Sequence, residues 1–269
     1  MNLLDVIILG LVEGLTEFLP VSSTGHLIIV GHWLGLTSDK AKTFEIFIQL
    51  GAVLAVAWEY RRQLFALVVR AKHEQQARAF LGKIFVAFLP AAIVGLLVHS
   101  LIKKHLFHQT PVALALIVGG VAMYLVEQFA KPKPAADVEA ITWRQALGVG
   151  LFQTLSLLWP GVSRSASTII GGLVIGLDRS AATVFSFYLA IPTLGAATLY
   201  DLFKSRNDLS SEDLVPFGLG LAVSFVVSLL VVRGLLRYVR HHSFKPFAIY
   251  RIAFGVLVLL LPADIIRTK

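Results

Sequence analysis

No cysteine occurs among the 269 residues, so neither disulfides nor thiolate metal centres contribute to this fold. Charge is scarce as well: Asp, Glu, Lys and Arg make up 15% of the chain, against about 25% in ordinary soluble domains. A soluble domain of this size needs charge to cover its outside, whereas a helix bundle in lipid can turn apolar side chains outward. With 57% hydrophobic residues and a mean hydropathy of +0.78, the composition calls for a bilayer. A cleavable leader is also not expected. Met1 to Leu11 has no basic start, and Glu13 and Glu17 fall where small residues would be needed, so the N-terminus is expected to remain. The formal charge of +8 does not point to nucleic acid, because the Lys and Arg cluster in short loops between apolar runs and form no basic face with interleaved aromatics.

Six segments approach the roughly 20 apolar residues that a spanning helix needs: Phe44 to Tyr60, Ile84 to Ile102, Val112 to Phe129, Ala181 to Phe203, Leu214 to Leu236 and Phe247 to Pro262. Two further stretches, Leu3 to Leu36 and Trp143 to Leu177, are each broken by a turn rich in Pro and hydroxyls. Their half-length helices predict re-entrant helix-turn-helix hairpins. The fold class is therefore an all-α integral membrane protein, one domain over 1–269.

The two broken stretches align with each other. A shift of 140 places Gly10 on Gly150, Glu13 on Gln153, Pro20 on Pro160, Ser23 on Ser163 and Thr24 on Arg164. Repeats of approximately 1–130 and 141–265, each a hairpin plus three spans, would have inverted topology, with the hairpin tips meeting near the midplane. The face carrying Arg61, Arg62, Arg70, Lys131, Lys133, Arg179, Arg233 and Lys245 is richer in positive charge than the face carrying Lys40, Arg267 and Lys269 with Asp201 and Asp213. The first is expected to be cytoplasmic, which puts both termini and the site's opening on the periplasmic side of a bacterial inner membrane.

Glu13 and Glu17 lie four apart on an otherwise apolar helix, so their carboxylates share one face. Intramembrane carboxylates are costly unless paired, hydrated or bound to a cation. Metal ligation and acid/base work are the functional readings, and an interfacial pair wetted by water is the plain one. Pro20-Val21-Ser22-Ser23-Thr24-Gly25-His26 reads as a helix start whose free N–H groups favour an anion, with His26 three residues after Ser23 on nearly the same face. A lone Ser-x-x-His would be only a cap; beside two carboxylates it becomes a nucleophile and base candidate. Pro160-Gly161-Val162-Ser163-Arg164-Ser165 is a second helix start, carrying a guanidinium suited to two phosphate oxygens or, more plainly, to a salt bridge with Glu13 or Glu17. Ser22, Thr24, Gln153, Gly161, Ser163 and Ser165 are the candidate substrate contacts. Glu45 and Gln49 divide evenly between pocket lining and interfacial solvation. Arg251 is expected to snorkel to the cytoplasmic headgroups, and the remaining histidines, His108 among them, show no ligand spacing. Converging helix starts, an Arg, a His, hydroxyls and paired acids suit phosphoryl chemistry on a substrate with an apolar tail.

The run from Glu13 to His26, together with Pro160 to Ser165 and Phe247-Ala248-Ile249-Tyr250-Arg251, resembles the undecaprenyl-diphosphate phosphatase family of the bacitracin-resistance type over essentially the whole chain. The resemblance implies hydrolysis of undecaprenyl diphosphate to the monophosphate, which recycles the carrier lipid for peptidoglycan and confers bacitracin resistance. It also implies Glu13 and Glu17 as the acidic motif, Ser23, Thr24 and His26 as the hydroxyl and imidazole set, Arg164 as the phosphate clamp, and Mg²⁺ or Ca²⁺ as cofactor. One departure stands out: the second motif commonly continues Gly-Ala-Thr, whereas here it is Ala166-Ser167-Thr168.

The leading expectation has metal-bound Glu13 and Glu17, with Arg164, holding the diphosphate while Ser23, activated by His26, attacks the terminal phosphorus. An exchange of roles, with His26 as nucleophile, stays open. A polyprenyl-phosphate flippase or transporter built on the same inverted repeats is the alternative from another class. A homodimer is compatible with either.

Overall fold

The computed structural model describes residues 1–36, 38–105, 109–129, 137–205 and 210–261. His108, Lys131, Lys133, Arg267 and Lys269, which entered the reading above, lie outside them. The described residues form eleven α-helices and two short 3-10 turns, with no strand among them.

Two helix pairs fold back on themselves: α1 (Leu3–Thr16) with α2 (Ser23–Trp33), and α7 (Trp143–Leu158) with α8 (Arg164–Val174). At about 1.5 Å per residue they run from about 16 to about 24 Å, short of the ~30 Å hydrocarbon layer. In each pair the start of the first helix lies beside the end of the second. Val6 and Leu9 of α1 pack with Leu27 and Val30 of α2, and the Gln145 amide reaches the Ile175 carbonyl just past α8. Both pairs begin at a capping box, Asn2 with Asp5 and Thr142 with Gln145, which satisfies the otherwise free N–H groups of the first turn. Both second helices begin at a serine with φ of 76°, Ser22 and Ser163. A positive φ is uncommon for any residue but glycine.

These caps correct the expected register. Residues 2 and 142 correspond at an offset of 140, but Ser22 and Ser163 correspond at 141, because the second pair holds one more residue between cap and tip. Ser23 therefore matches Arg164, not Ser163: each is the first residue of its helix.

Among the described residues, five helices are long and apolar enough to cross a membrane: Lys40–Glu59 in α3 (Asp39–Glu59), Gln75–Leu97 in α5 (Gln75–His105), α6 (Gln109–Phe129), α9 (Arg179–Lys204) and α10 (Leu214–Val239). The sixth expected span corresponds to α11 (Lys245–Leu260), which has 16 residues and is about 24 Å long. α4 (Arg61–Arg70) was not anticipated. It buries Leu67 and exposes Phe65, Val68 and Val69 beside Arg61 and Arg62, as an interfacial helix does.

Each hairpin leans on a long helix from the other part of the chain, α1 on α10 and α7 on α5, while α3 packs on α9 and α6 on α11. Small residues permit these approaches: a Cβ at Gly150 would collide with the Ala87 backbone of α5. One end of the bundle gathers the ion pairs Arg179–Glu127 (2.6 Å), Arg233–Glu59 (2.7 Å) and Arg70–Glu139 (2.5 Å). Buried Glu127 also accepts the Phe244 N–H, so α6 caps the start of α11, whose own N-cap residue has no capping side chain. At the other end Lys40 pairs with Asp213 at 2.6 Å. That hydrogen bond is the main reason the Asp213 carboxyl is pushed down to about 2.

Candidate active site

The two hairpin tips meet. Glu17 follows the last turn of α1 and keeps helical geometry, its N–H bonding to the Glu13 carbonyl, so the i, i+4 relation between the two acids holds. Both carboxylates are buried. The Glu17 carboxylate joins the tips: Ser23 Oγ donates to its Oε2 at 2.5 Å, and Arg164 Nη2 donates to its Oε1 at 2.8 Å. A hydroxyl from the first helix start and a guanidinium from the second thus share one carboxylate, 147 residues from the Arg. The other terminal nitrogen of Arg164 bonds the Ser186 carbonyl of α9 at 3.2 Å, and the guanidinium carbon lies 5.4 Å from the Phe18 ring centroid.

His26 does not partner Ser23, and this corrects the expected pair. Its Nδ1 lies 2.7 Å from the Ser22 carbonyl and its Nε2 lies 2.7 Å from the Tyr250 hydroxyl. A carbonyl only accepts, so in the neutral ring Nδ1 carries the proton and Nε2 accepts from Tyr250. Phe254 of α11 stacks on the imidazole with centroids 4.2 Å apart. Ser23 finds Glu17 instead, because the positive φ at Ser22 turns the chain as α2 begins.

Arg251 overturns its expected snorkelling. It is 0% exposed and serves backbone carbonyls from both hairpin turns: Pro20 at 3.3 Å, Val162 at 2.8 Å and Gly161 at 3.1 Å, with Ala115 and Leu116 of α6. Gly161, at φ 99°, brings its carbonyl into this cluster, and a Cβ there would meet the Val112 carbonyl at 2.7 Å.

A cleft opens beside the joined tips. Glu17, Ser23, Thr24, Gln153, Gly161, Ser163 and Arg164 line it together with Gln49, Ser156, Leu157, Thr193, Leu194 and Ala197. Gln49 is thus a lining residue. Ser22 and Ser165 are engaged elsewhere: the Ser22 hydroxyl caps the Gly25 N–H, and the Ser165 hydroxyl crosses to the Leu19 carbonyl at 2.9 Å, stitching one tip to the other.

Several buried polar atoms in this region find no complementary group: the Gln153 amide nitrogen and the Arg164 Nε, of residues that line the cleft, and both oxygens of Glu13, which does not line it and has only the Glu17 carboxyl in hydrogen-bond reach. Burying such groups unpaired costs about 1–3 kcal/mol each, and more when charged, so they mark where something else belongs. Two unpartnered donors suit an anion's oxygens. The Glu13 oxygens, with the Glu17 and Glu45 carboxylates in electrostatic reach, suit a hard cation. No group of three or more His, Cys, Asp or Glu poised to hold a metal ion occurs among the described residues. A divalent ion would therefore take its protein ligands from Glu13 and Glu17 and the rest from water or phosphate, a set that fits Mg²⁺ or Ca²⁺.

The sequence matches the family model described as bacitracin resistance protein BacA over residues 6–257. The chain belongs to that family. Similar curated proteins include the undecaprenyl-diphosphatase of Methylococcus capsulatus, 56% identical over 256 residues that cover 95% of this chain and 93% of that protein. The undecaprenyl-diphosphatases of Nitrosospira multiformis and Nitrosomonas europaea are 54% and 52% identical, each over 258 residues that cover 96% of this chain and 94% of theirs.

The methyl group of Ala166, in the second hairpin's helix start, is buried in the main hydrophobic cluster. Thr168, two residues on, bonds the Ser186 hydroxyl at 2.6 Å and so braces the α9 segment that holds Arg164. Tyr250, Phe254, Ser156 and Thr193 were not singled out from the sequence. The one available signal was Tyr250-Arg251 itself, two polar groups in an apolar helix, which a search for unpaired intramembrane charge would flag.

Proposed function

We propose that this protein hydrolyses undecaprenyl diphosphate to undecaprenyl phosphate and inorganic phosphate in the bacterial cytoplasmic membrane, recycling the carrier lipid for peptidoglycan synthesis and conferring bacitracin resistance. Its membership in the bacitracin resistance family and relatives named undecaprenyl-diphosphatase support the activity. The single observation that carries the chemistry is the Ser23–Glu17–Arg164 chain of hydrogen bonds on the wall of the cleft.

In this reading the unpartnered Nε–H of Arg164, the Gln153 amide, and the hydroxyls and amides at the two helix starts receive the diphosphate oxygens. Ser23 Oγ attacks the terminal phosphorus as its proton passes to Glu17. The bond from that phosphorus to the bridging oxygen breaks, and undecaprenyl phosphate leaves. Glu17 gives its first proton to the departing phosphate monoester. It then takes one from the water that attacks the phosphoserine and passes it to the Ser23 oxygen as the bond from phosphorus to Oγ breaks, releasing inorganic phosphate. Glu13, with Glu17, would hold a Mg²⁺ or Ca²⁺ ion, which supplies positive charge against the diphosphate. His26 orients the first turn through Ser22 and Tyr250 in this scheme, so its attack on phosphorus would first require loss of the Tyr250 bond.

The matched caps and the exchanged packing support two inverted repeats of about 1–130 and 141–265, with the hairpins re-entrant from opposite sides. The basic end is cytoplasmic by the positive-inside rule, so the cleft, which reaches Ala197 toward the far end of α9, opens to the periplasm.

Trapping a labelled phosphoenzyme tests the scheme. Phosphoserine at Ser23, absent in Ser23→Ala, is expected; phosphohistidine at His26 would overturn it.

A further inference from the structure

The cleft has an uneven lining. Glu17, Ser23, Gln153 and Arg164 make part of the lining polar, and Leu157 of α7 with Leu194 and Ala197 of α9, each farther along its helix than Gln153 and Thr193, make another part apolar. Thr193 of α9 donates to the Gln153 side-chain oxygen of α7 at 3.4 Å, one turn before Leu157 and Ala197. At Ala197 the cleft reaches the outside of the bundle, since Ala197 is exposed. The surface on either side is apolar: Leu155 and Leu158 project from α7, and Leu199 and Tyr200 from α9. No charged residue occurs from 145 to 163 or from 180 to 200, so an alkyl chain passing between these helices meets none from either stretch.

We propose that the polyprenyl tail of the substrate leaves the cleft sideways between α7 and α9, across Leu157, Leu194 and Ala197, and enters the bilayer there. This rests on the lipid-diphosphate reading above. The physical reason is the amphiphile itself: its headgroup is held at Arg164 while a chain of this length cannot be desolvated inside a cleft of this lining, and each methylene left in lipid avoids about 0.8 kcal/mol of exposure to water. The mouth lets one molecule occupy both media at once. It also admits substrate from within the membrane plane without passage through water.

The test places the photoreactive residue benzoylphenylalanine at position 197 or 196 of the full-length protein, purified in detergent with undecaprenyl diphosphate. Ala196 is exposed on the same helix but does not line the cleft. Irradiation is expected to give a lipid adduct at 197 that excess unlabelled lipid suppresses, with only background at 196. No adduct at 197, or equal yields at both positions, overturns the tail path. An adduct at 197 in protein that releases no phosphate keeps the path and rejects the hydrolysis. As a second measurement, Ala197→Trp is expected to lower kcat/KM at least about tenfold, while Ala196→Trp stays within about twofold, the scale of a few lost apolar contacts. Full activity in Ala197→Trp contradicts the proposal.

Discussion

The Nη1 of Arg251 donates to the Val162 carbonyl at 2.8 Å, and the same nitrogen reaches Pro20 at 3.3 Å. One buried guanidinium in α11 thereby fixes the distance between two turns that are far apart in the chain. The relation of Glu17 to Arg164 depends on that spacing, because each sits on one of those turns.

Replacing Arg251 is accordingly expected to be structural first. Arg251→Met strands several buried carbonyls and should cost about 3–5 kcal/mol, the scale for breaking a buried charged network. Arg251→Lys should rescue little, since a single ammonium cannot span both turns and α6. Thermal unfolding in detergent checks this, and a Met variant as stable as the parent would contradict it.

Tyr250→Phe removes only the hydroxyl that bonds His26. A loss of about 1 kcal/mol in the positioning of the imidazole, roughly five- to tenfold in kcat with KM little changed, is expected. Steady-state kinetics measure it, and a drop of several orders of magnitude would instead point to His26 as a reacting group.

Glu13 separates binding of a cation from folding. Its carboxylate meets no donor apart from the neighbouring Glu17 carboxyl, so Glu13→Gln should leave the melting temperature unchanged or raised while activity falls by about 100-fold or more. Chelation should silence the parent protein, Mg²⁺ or Ca²⁺ should restore it, and the variant should not respond. Restoration of the variant by metal would refute the assignment.

The Lys40–Asp213 pair has a pH signature. The Asp213 carboxyl is held down at about 2, against about 3.9 in an unfolded chain, so its stabilisation is complete above about pH 5 and is lost as pH falls through about 2. The difference in unfolding temperature between the parent and Asp213→Asn should therefore be small but present at pH 7, shrink between about pH 5 and 2, and vanish below that.

What the sequence made legible divides along physical lines. Hydropathy and length located the five long helices and both folded-back helix pairs, because an apolar run of given length leaves few alternatives for a backbone in lipid. Seven of the expected contacts, from Glu17 to Arg164, line one cleft, since a charge at a helix start in an apolar segment has few structural uses. The pairing within the site was not legible. Whether Ser23 meets His26 or Glu17 turns on a positive φ at Ser22, which no spacing rule reports. Arg251 was misread for a related reason: its partners are backbone carbonyls up to 231 residues away, which leave no complementary acid in the sequence to find. The one-residue offset between hairpins was hidden because Ser22 and Ser23 are adjacent and either aligns with Ser163.

Phosphate release from undecaprenyl diphosphate by purified protein, run beside Glu17→Ala and Arg164→Ala with a divalent cation present, is the most direct test of the joined hairpin tips as a catalytic centre. Release by the parent and a fall of at least about two orders of magnitude in each variant is the predicted result. Parent protein that moves the lipid across vesicles without releasing phosphate, or variants that hydrolyse it at the parent's rate, would contradict the account.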